Sequence, residues 1–212
     1  MRKLHLALLL AAAAAAAPVH AQIPAGAQAV PIEPSVDSPE QRQMLIKFTT
    51  CLAQSRPRWA RQTLTYPYLS QEQASKASVA LKGTDSCTGR NDTEVTFRTS
   101  GLVGSLAEYF LRNDLDKADG IRLERALNTI APLNASEDFG LCVASRNPAA
   151  ARALAFSVPG SEAEAAAVNT LSPEIPPCIR RGEHLTIDLQ SLRALVSTAL
   201  YRGVTAVTAS RS

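Results

Sequence analysis

Few side chains in this chain have types and spacing that could do chemistry. Its four cysteines stand at 51, 87, 142 and 178, so two intervals of 36 positions recur. None lies in a C-x-x-C motif and none has a histidine beside it, which argues against a redox pair or a metal site. An even number of cysteines without those motifs reads as disulfide bonding in an oxidising compartment. Ser161, in Pro159-Gly160-Ser161, lacks the G-x-S-x-G elbow of a serine nucleophile and suits a helix cap instead. The acidic run from Asn113 to Gly120 fails as a calcium loop. With Gly120 at loop position 6, Leu115 and Lys117 fall where acidic ligands belong. His184 has no neighbouring nucleophile in its segment. These residues assign no catalytic group, no metal and no cofactor.

Two sets of binding candidates remain. Arg61 and Arg152 are 91 positions apart, each four residues after a proline. A matched pair of guanidinium groups can grip an anion, or each can tie its helix to a carboxylate or to carbonyl oxygens. Trp59, Tyr66 and Tyr68 cluster with arginines around 58–68, and Ala150, Ser157 and Pro159 replace them 91 positions later. Aromatic residues with arginine are the types that anchor interfaces. These three form the sequence's candidate binding patch.

The elements that position these residues follow a leader. Residues 1–21 begin with Arg2 and Lys3, continue through an apolar run from Leu4 to Ala17, and end in Val19-His20-Ala21. That is the layout of a secretory signal peptide cleaved between Ala21 and Gln22. A run of about 14 residues is too short to span a bilayer, and no later segment is long and apolar enough. Cleavage takes the formal charge from +3 to +1, by loss of Arg2 and Lys3, and leaves His184 as the sole histidine. A nearly neutral chain has no broad pull on nucleic acid. The chain of 212 residues is 46% hydrophobic and 19% charged, which excludes collagen-like and disordered classes.

Internal duplication organises the remainder. Phe48 and Cys51 match Phe139 and Cys142; Pro57, Ala60 and Arg61 match Pro148, Ala151 and Arg152; Ser70 and Ala74 match Ser161 and Ala165. Past the second cysteine the offset becomes 90, and Val95, Phe97, Leu102, Leu106, Phe110 and Arg112 match Leu185, Ile187, Leu192, Val196, Leu200 and Arg202. The expected plan is a flexible leader at 22–37, helical repeat one at 38–113, a connecting segment at 114–133, helical repeat two at 134–203 and a frayed tail at 204–212. The fold class is mainly α, with two pseudo-symmetric repeats. Each repeat has three helices, a short strand and a fourth helix.

Local signals mark these helices. Ser38-Pro39-Glu40-Gln41 opens the first, with Met44, Leu45, Phe48, Cys51 and Leu52 on one face. Asn134 with Glu137 opens its counterpart. Ser70 with Gln73, and Ser161 with Glu164, open the third helices. Ala74, Ala77 and Leu81, then Ala165 and Val168, are expected to face inward. Alternation at Thr93, Val95 and Phe97, and at Leu185, Ile187 and Leu189, predicts two strands that pair with each other. Ile121, Leu123, Leu127 and Ile130 predict a helix in the connector. The duplication favours Cys51–Cys87 with Cys142–Cys178, one staple per repeat. Each would be worth about 4 kcal/mol in the chain-entropy picture.

The pattern of F-x-x-C, P-x-x-A-R, a capping box, a second cysteine and a closing L-x-x-x-(V/L)-x-x-x-(L/F)-x-R resembles exported proteins of alphaproteobacteria of the sphingomonad type. The resemblance spans both halves and implies no activity. The sequence therefore points to a periplasmic or secreted, non-enzymatic module whose partner is an envelope protein or a small ligand. Two alternatives are a small hydrolase whose carboxylates are assembled by the fold, and a carrier with its pocket between the repeats.

Overall fold

A computed structural model describes residues 32–80, 87, 97–114, 120–181, 183 and 185–210. The signal segment, Thr93 and Val95 of the first expected strand, most of the acidic run and His184 lie outside them. The chain is mainly helical. β1 (Ile32–Glu33) leads to α1 (Pro39–Ser55), α2 (Pro57–Thr63), α3 (Gln71–Ala80) and α4 (Thr99–Asp114). α5 (Gly120–Thr129) lies in the connector. Then come α6 (Ala135–Arg146), α7 (Pro148–Phe156), α8 (Glu162–Leu171), two 3-10 turns, β2 (Ile187–Asp188) and α9 (Leu189–Ala209).

The helix starts obey local chemistry. The Ser38 hydroxyl accepts the Gln41 amide and the Gln41 side chain accepts the Ser38 amide, a complete capping box with Pro39 at the first helical position. Asn134 caps α6, Asn147 caps α7 and Asp188 caps α9. At α3 and α8 the residue three after the cap reaches one residue further back than a capping box requires. Gln73 Oε1 accepts the Leu69 amide at 2.8 Å, and Glu164 Oε2 accepts the Gly160 amide at 2.8 Å.

α4 and α9 cross at the centre. α1 and α3 pack on α4, while α5, α6 and α7 pack on α9. Gly104 and Ala194, 90 positions apart, meet at the crossing. A Cβ on Gly104 would sit 2.4 Å from that of Ala194, so only glycine allows this approach. Leu52, Leu102, Leu106, Leu111, Leu154, Leu171, Leu192 and Leu200 are buried in one continuous core. Disulfides join Cys51 to Cys87 and Cys142 to Cys178, each with Cα atoms 5.7 Å apart.

Several sequence expectations are corrected. β2 pairs in parallel with β1, at the end of the leader, a partner the sequence did not suggest, and residues 93–96 of the other expected strand lie outside the described residues. The last residues of the 22–37 leader are therefore tied to the body. A strand of two residues needs only a short partner, and Ile32–Glu33 ahead of α1 supplies it. Residues 204–209 are the last turns of α9, with Val204 and Val207 buried, not a frayed tail. The reason is α5, whose Leu123 and Leu127 cover that end of α9. Met44 is exposed, and so is Ala165. Glu164, one position earlier, takes the inward place on α8 because two arginines await it.

Candidate functional site

The most concentrated chemistry lies inside the molecule, where α1, α4, α8 and α9 converge. Arg193 donates from Nε to Glu108 Oε1 at 2.7 Å and from Nη2 to Glu108 Oε2 at 2.9 Å. Its Nη1 donates to Glu164 Oε1 at 3.0 Å and to the Ser157 hydroxyl at 3.1 Å. Its Nη2 also reaches the carbonyls of Ala155 and Ser157. Arg42 forms a fork on the same Glu164 at 2.6 and 3.0 Å. The side chains of Arg42, Glu108, Glu164 and Arg193 are 1–5% exposed. Burial pushes the Glu164 carboxyl up, but the Arg42 hydrogen bond, the Gly160 amide and both guanidinium charges outweigh it and leave its pKa lowered. Burial likewise opposes the charge on Arg193. Glu108 and Glu164 overcome that and raise its pKa. Two cations and two anions thus neutralise each other out of reach of solvent.

A second carboxylate clamp joins the halves elsewhere. Glu137 Oε1 accepts the Tyr68 amide at 3.0 Å, and its Oε2 accepts the Leu133 amide at 2.9 Å and an ion pair from Arg202. Asn134 Nδ2 donates to the Tyr68 carbonyl at 2.7 Å. A cavity of about 10 Å³ lies here between the halves, lined by Tyr68, Glu137, Leu195, Thr198 and Arg202. That is room for about one water molecule.

The expected binding patch divides. Tyr68 is 1% exposed, and its hydroxyl has no hydrogen-bond partner among the described residues. Burial, with Asp188 adding to it, pushes that phenol far up. Trp59 is half-buried and its indole N–H donates to the Lys76 carbonyl at 3.0 Å, tying α2 to α3. Tyr66 is half-buried. Leu69, which the sequence reading passed over, stands at the surface instead. It is 49% exposed with φ of +60°, a conformation that disfavours any side chain with a Cβ. The residue 91 positions later is Gly160, with φ of +81°. Leu133, 51% exposed, stands on the other side of the Glu137 carboxylate.

The two matched arginines differ as well. Arg61 pairs with Asp114 at 2.8 Å, lies 4.1 Å over the Phe110 ring and reaches the Tyr201 hydroxyl at 3.5 Å. It borders an open cleft with Pro57, Tyr109 and Asn113. Partial burial works against its charge, and the Asp114 hydrogen bond leads the contacts that raise its pKa. Arg152 is exposed and has no ion pair among the described residues. Among the described residues Arg61 thus has a carboxylate, a ring and a phenol as partners, and Arg152 shares none of them.

Compared with family models, curated proteins and solved structures, the chain matches none of them. Function therefore rests on the geometry above. Among the described residues no group of three or more potential ligands is placed to hold a metal ion. None of the described helices is long and apolar enough to cross a membrane. The two disulfides fit an oxidising compartment outside the cytoplasm. The signals that pointed to the buried clusters were present only in part. Glu164 and Glu137 read as helix-start partners, but nothing local in the sequence marks Arg42 or Arg193 as their counterions.

Proposed function

We propose that the chain is exported, loses residues 1–21, and acts in the periplasm or cell envelope as a non-enzymatic interaction module. Its docking face is built on the exposed apolar residues Leu69 and Leu133, with the half-buried Tyr66 three residues before Leu69 in the chain. The observation that carries this reading is the left-handed, half-exposed Leu69. A leucine there costs about 1–2 kcal/mol relative to a relaxed backbone, and its side chain is not buried in the core to offset that cost. A partner that buries it would account for both features.

The environment of the carboxylates argues against the hydrolase alternative. The two that converge, Glu108 and Glu164, are inaccessible and already paired with arginine. The carrier alternative meets a cavity of single-water size between the halves. The test uses oxidised residues 22–212 as bait against an envelope extract of the native host, beside Leu69→Gly and Leu133→Ser baits. Glycine suits φ of +60°, so Leu69→Gly keeps or gains stability. The expected result is a partner retained by the native bait and lost by both variants. Equal capture by all three would sink this face.

A further inference from the structure

A cleft of about 420 Å³ lies between α5 and the last turns of α9. Helical spacing sets its walls. Leu123 and Leu127 are buried and reach Gly203 on α9. Arg122, Arg125, Ala126 and Thr129 stand at i, i+3, i+4 and i+7, which is one stripe of a helix, and all four line the cleft. Ala126, with Ala206 and Val207 of α9, gives it an apolar floor.

Both arginines are exposed, and neither guanidinium has an ion pair or hydrogen bond among the described residues. Glu124, the one acid of α5, does not line the cleft, and α9 carries no acidic residue. Two other clefts make the contrast. Beside Arg61, Asp114 already holds the guanidinium at 2.8 Å. Beside the second disulfide, Arg180 is paired with Asp138 at 3.2 Å. Between α5 and α9, two positive charges face one cleft with no carboxylate among its lining residues.

The hydroxyls there have their protons committed. Thr129 Oγ1 donates to the Arg125 carbonyl at 2.9 Å, and Ser210 Oγ donates to the Val207 carbonyl at 2.8 Å. Among the lining side chains the donors to a ligand are therefore the guanidinium groups. Cβ atoms three positions apart on a helix are about 5–6 Å apart, so both forks can close on one tetrahedral anion. Their charge of two matches a phosphate monoester dianion better than a single carboxylate.

We propose that this cleft is a site for a phosphate group, gripped by Arg122 and Arg125, with the apolar part of the ligand laid on Ala126, Ala206 and Val207. A soluble phosphate monoester and a lipid headgroup ending in phosphate present the same dianion. The site shares no residue with the Leu69 face, so either reading can fail alone.

The test follows the arginine Nε–H and backbone amide resonances of the oxidised mature chain as sodium phosphate is added, against sodium chloride at equal ionic strength. The expected result is saturable shifts at Arg122, Arg125 and residues 206–210 that chloride does not reproduce. Arg122→Gln with Arg125→Gln should weaken phosphate binding by at least about tenfold. Arg152→Gln with Arg181→Gln makes the same charge change at exposed arginines outside the cleft and should leave binding unchanged. Flotation with phosphatidylcholine vesicles, with and without phosphatidic acid, separates the sources. Retention on phosphatidic acid vesicles that is lost with Arg122 and Arg125 assigns a headgroup, and phosphate shifts without retention assign a soluble monoester. Phosphate shifts no larger than those of chloride would overturn the proposal, as would equal phosphate binding by the two double variants.

Discussion

Two seams join the halves, and they share a backbone plan but not a chemistry. At one, α1 lies on the loop ahead of α8, and Gln43 Nε2 donates to the Pro159 carbonyl at 3.0 Å. At the other, α6 lies on the loop ahead of α3, and Asn134 Nδ2 donates to the Tyr68 carbonyl at 2.7 Å. Positions 43 and 134 are 91 apart, and so are 68 and 159. Each first helix thus holds the other half's loop with one amide. Each loop then turns through a positive φ, at Gly160 and at Leu69.

The helix position that follows separates the seams. Gln73 is neutral and satisfies its amide on the carbonyls of Thr63 and Tyr66 within its own half. Glu164 is charged and must recruit Arg42 and Arg193. Through Arg193 the ionic seam is locked to the central helix pair, whereas the Gln73 site stays local. The turns diverge too. A Cβ at Gly160 would sit 2.6 Å from that of Pro39, while Leu69 leads its side chain into solvent. One amino-acid difference at each of two positions makes one loop a sealed joint and leaves the other an exposed one.

The largest expected effect breaks the ionic seam. Arg193→Leu leaves Glu108 buried without a cation and Glu164 with one fewer, and should cost about 3–5 kcal/mol in denaturant unfolding. A loss no greater than that of an exposed arginine would mean that the cluster is not the lock. Glu164→Gln gives the ionic seam the residue type of the neutral one. It can keep the bond to the Gly160 amide but leaves both arginines short of an acceptor, for about 2–3 kcal/mol. The same variant sharpens the pH profile. The lowered Glu164 pKa stabilises the fold fully above the ordinary carboxylate value of 4.5, and that contribution is lost as pH falls through the folded value. In Glu164→Gln this part of the acid destabilisation should vanish in melting curves taken from pH 7 to pH 3.

Smaller effects compare the reciprocal amides. Asn134→Ala removes both the α6 cap and the bond to Tyr68, and should cost about 1–2 kcal/mol. Gln43→Ala removes one part-buried bond and should cost about 0.5–1 kcal/mol. Equal losses would show that the cap adds nothing. The smallest change is Leu69→Gly, expected to leave stability unchanged or raise it by up to about 1 kcal/mol. A clear loss there would mean that Leu69 packs in the fold and is not held out for a partner.

Much of this arrangement was readable in the chain before the structure. Ser38, Asn134, Ser70 and Ser161 are side-chain caps whose bonds close within four residues, so their spacing announces them. The placement of Trp59 and Tyr68 was not readable. Both looked like surface anchors, yet one ties α2 to α3 and the other lies beneath the Glu137 clamp. Leu69 went unnoticed because φ is not written in a residue's type. Only the glycine at its matched position hinted that the turn runs left-handed.

The sequence by itself determined the helical class, the helix starts, the connector helix and the cysteine spacing that suits one staple per half. Those depend on forces acting across a few residues: caps, prolines, apolar periodicity and loop length. Only the tertiary structure decided that β2 pairs with the end of the leader, that α9 runs on beneath α5, and that Arg42 meets Glu164 across 122 positions and Arg193 meets Glu108 across 85. A buried charge selects its partner by which helices cross beside it, and that crossing was set here by the close approach of Gly104 to Ala194.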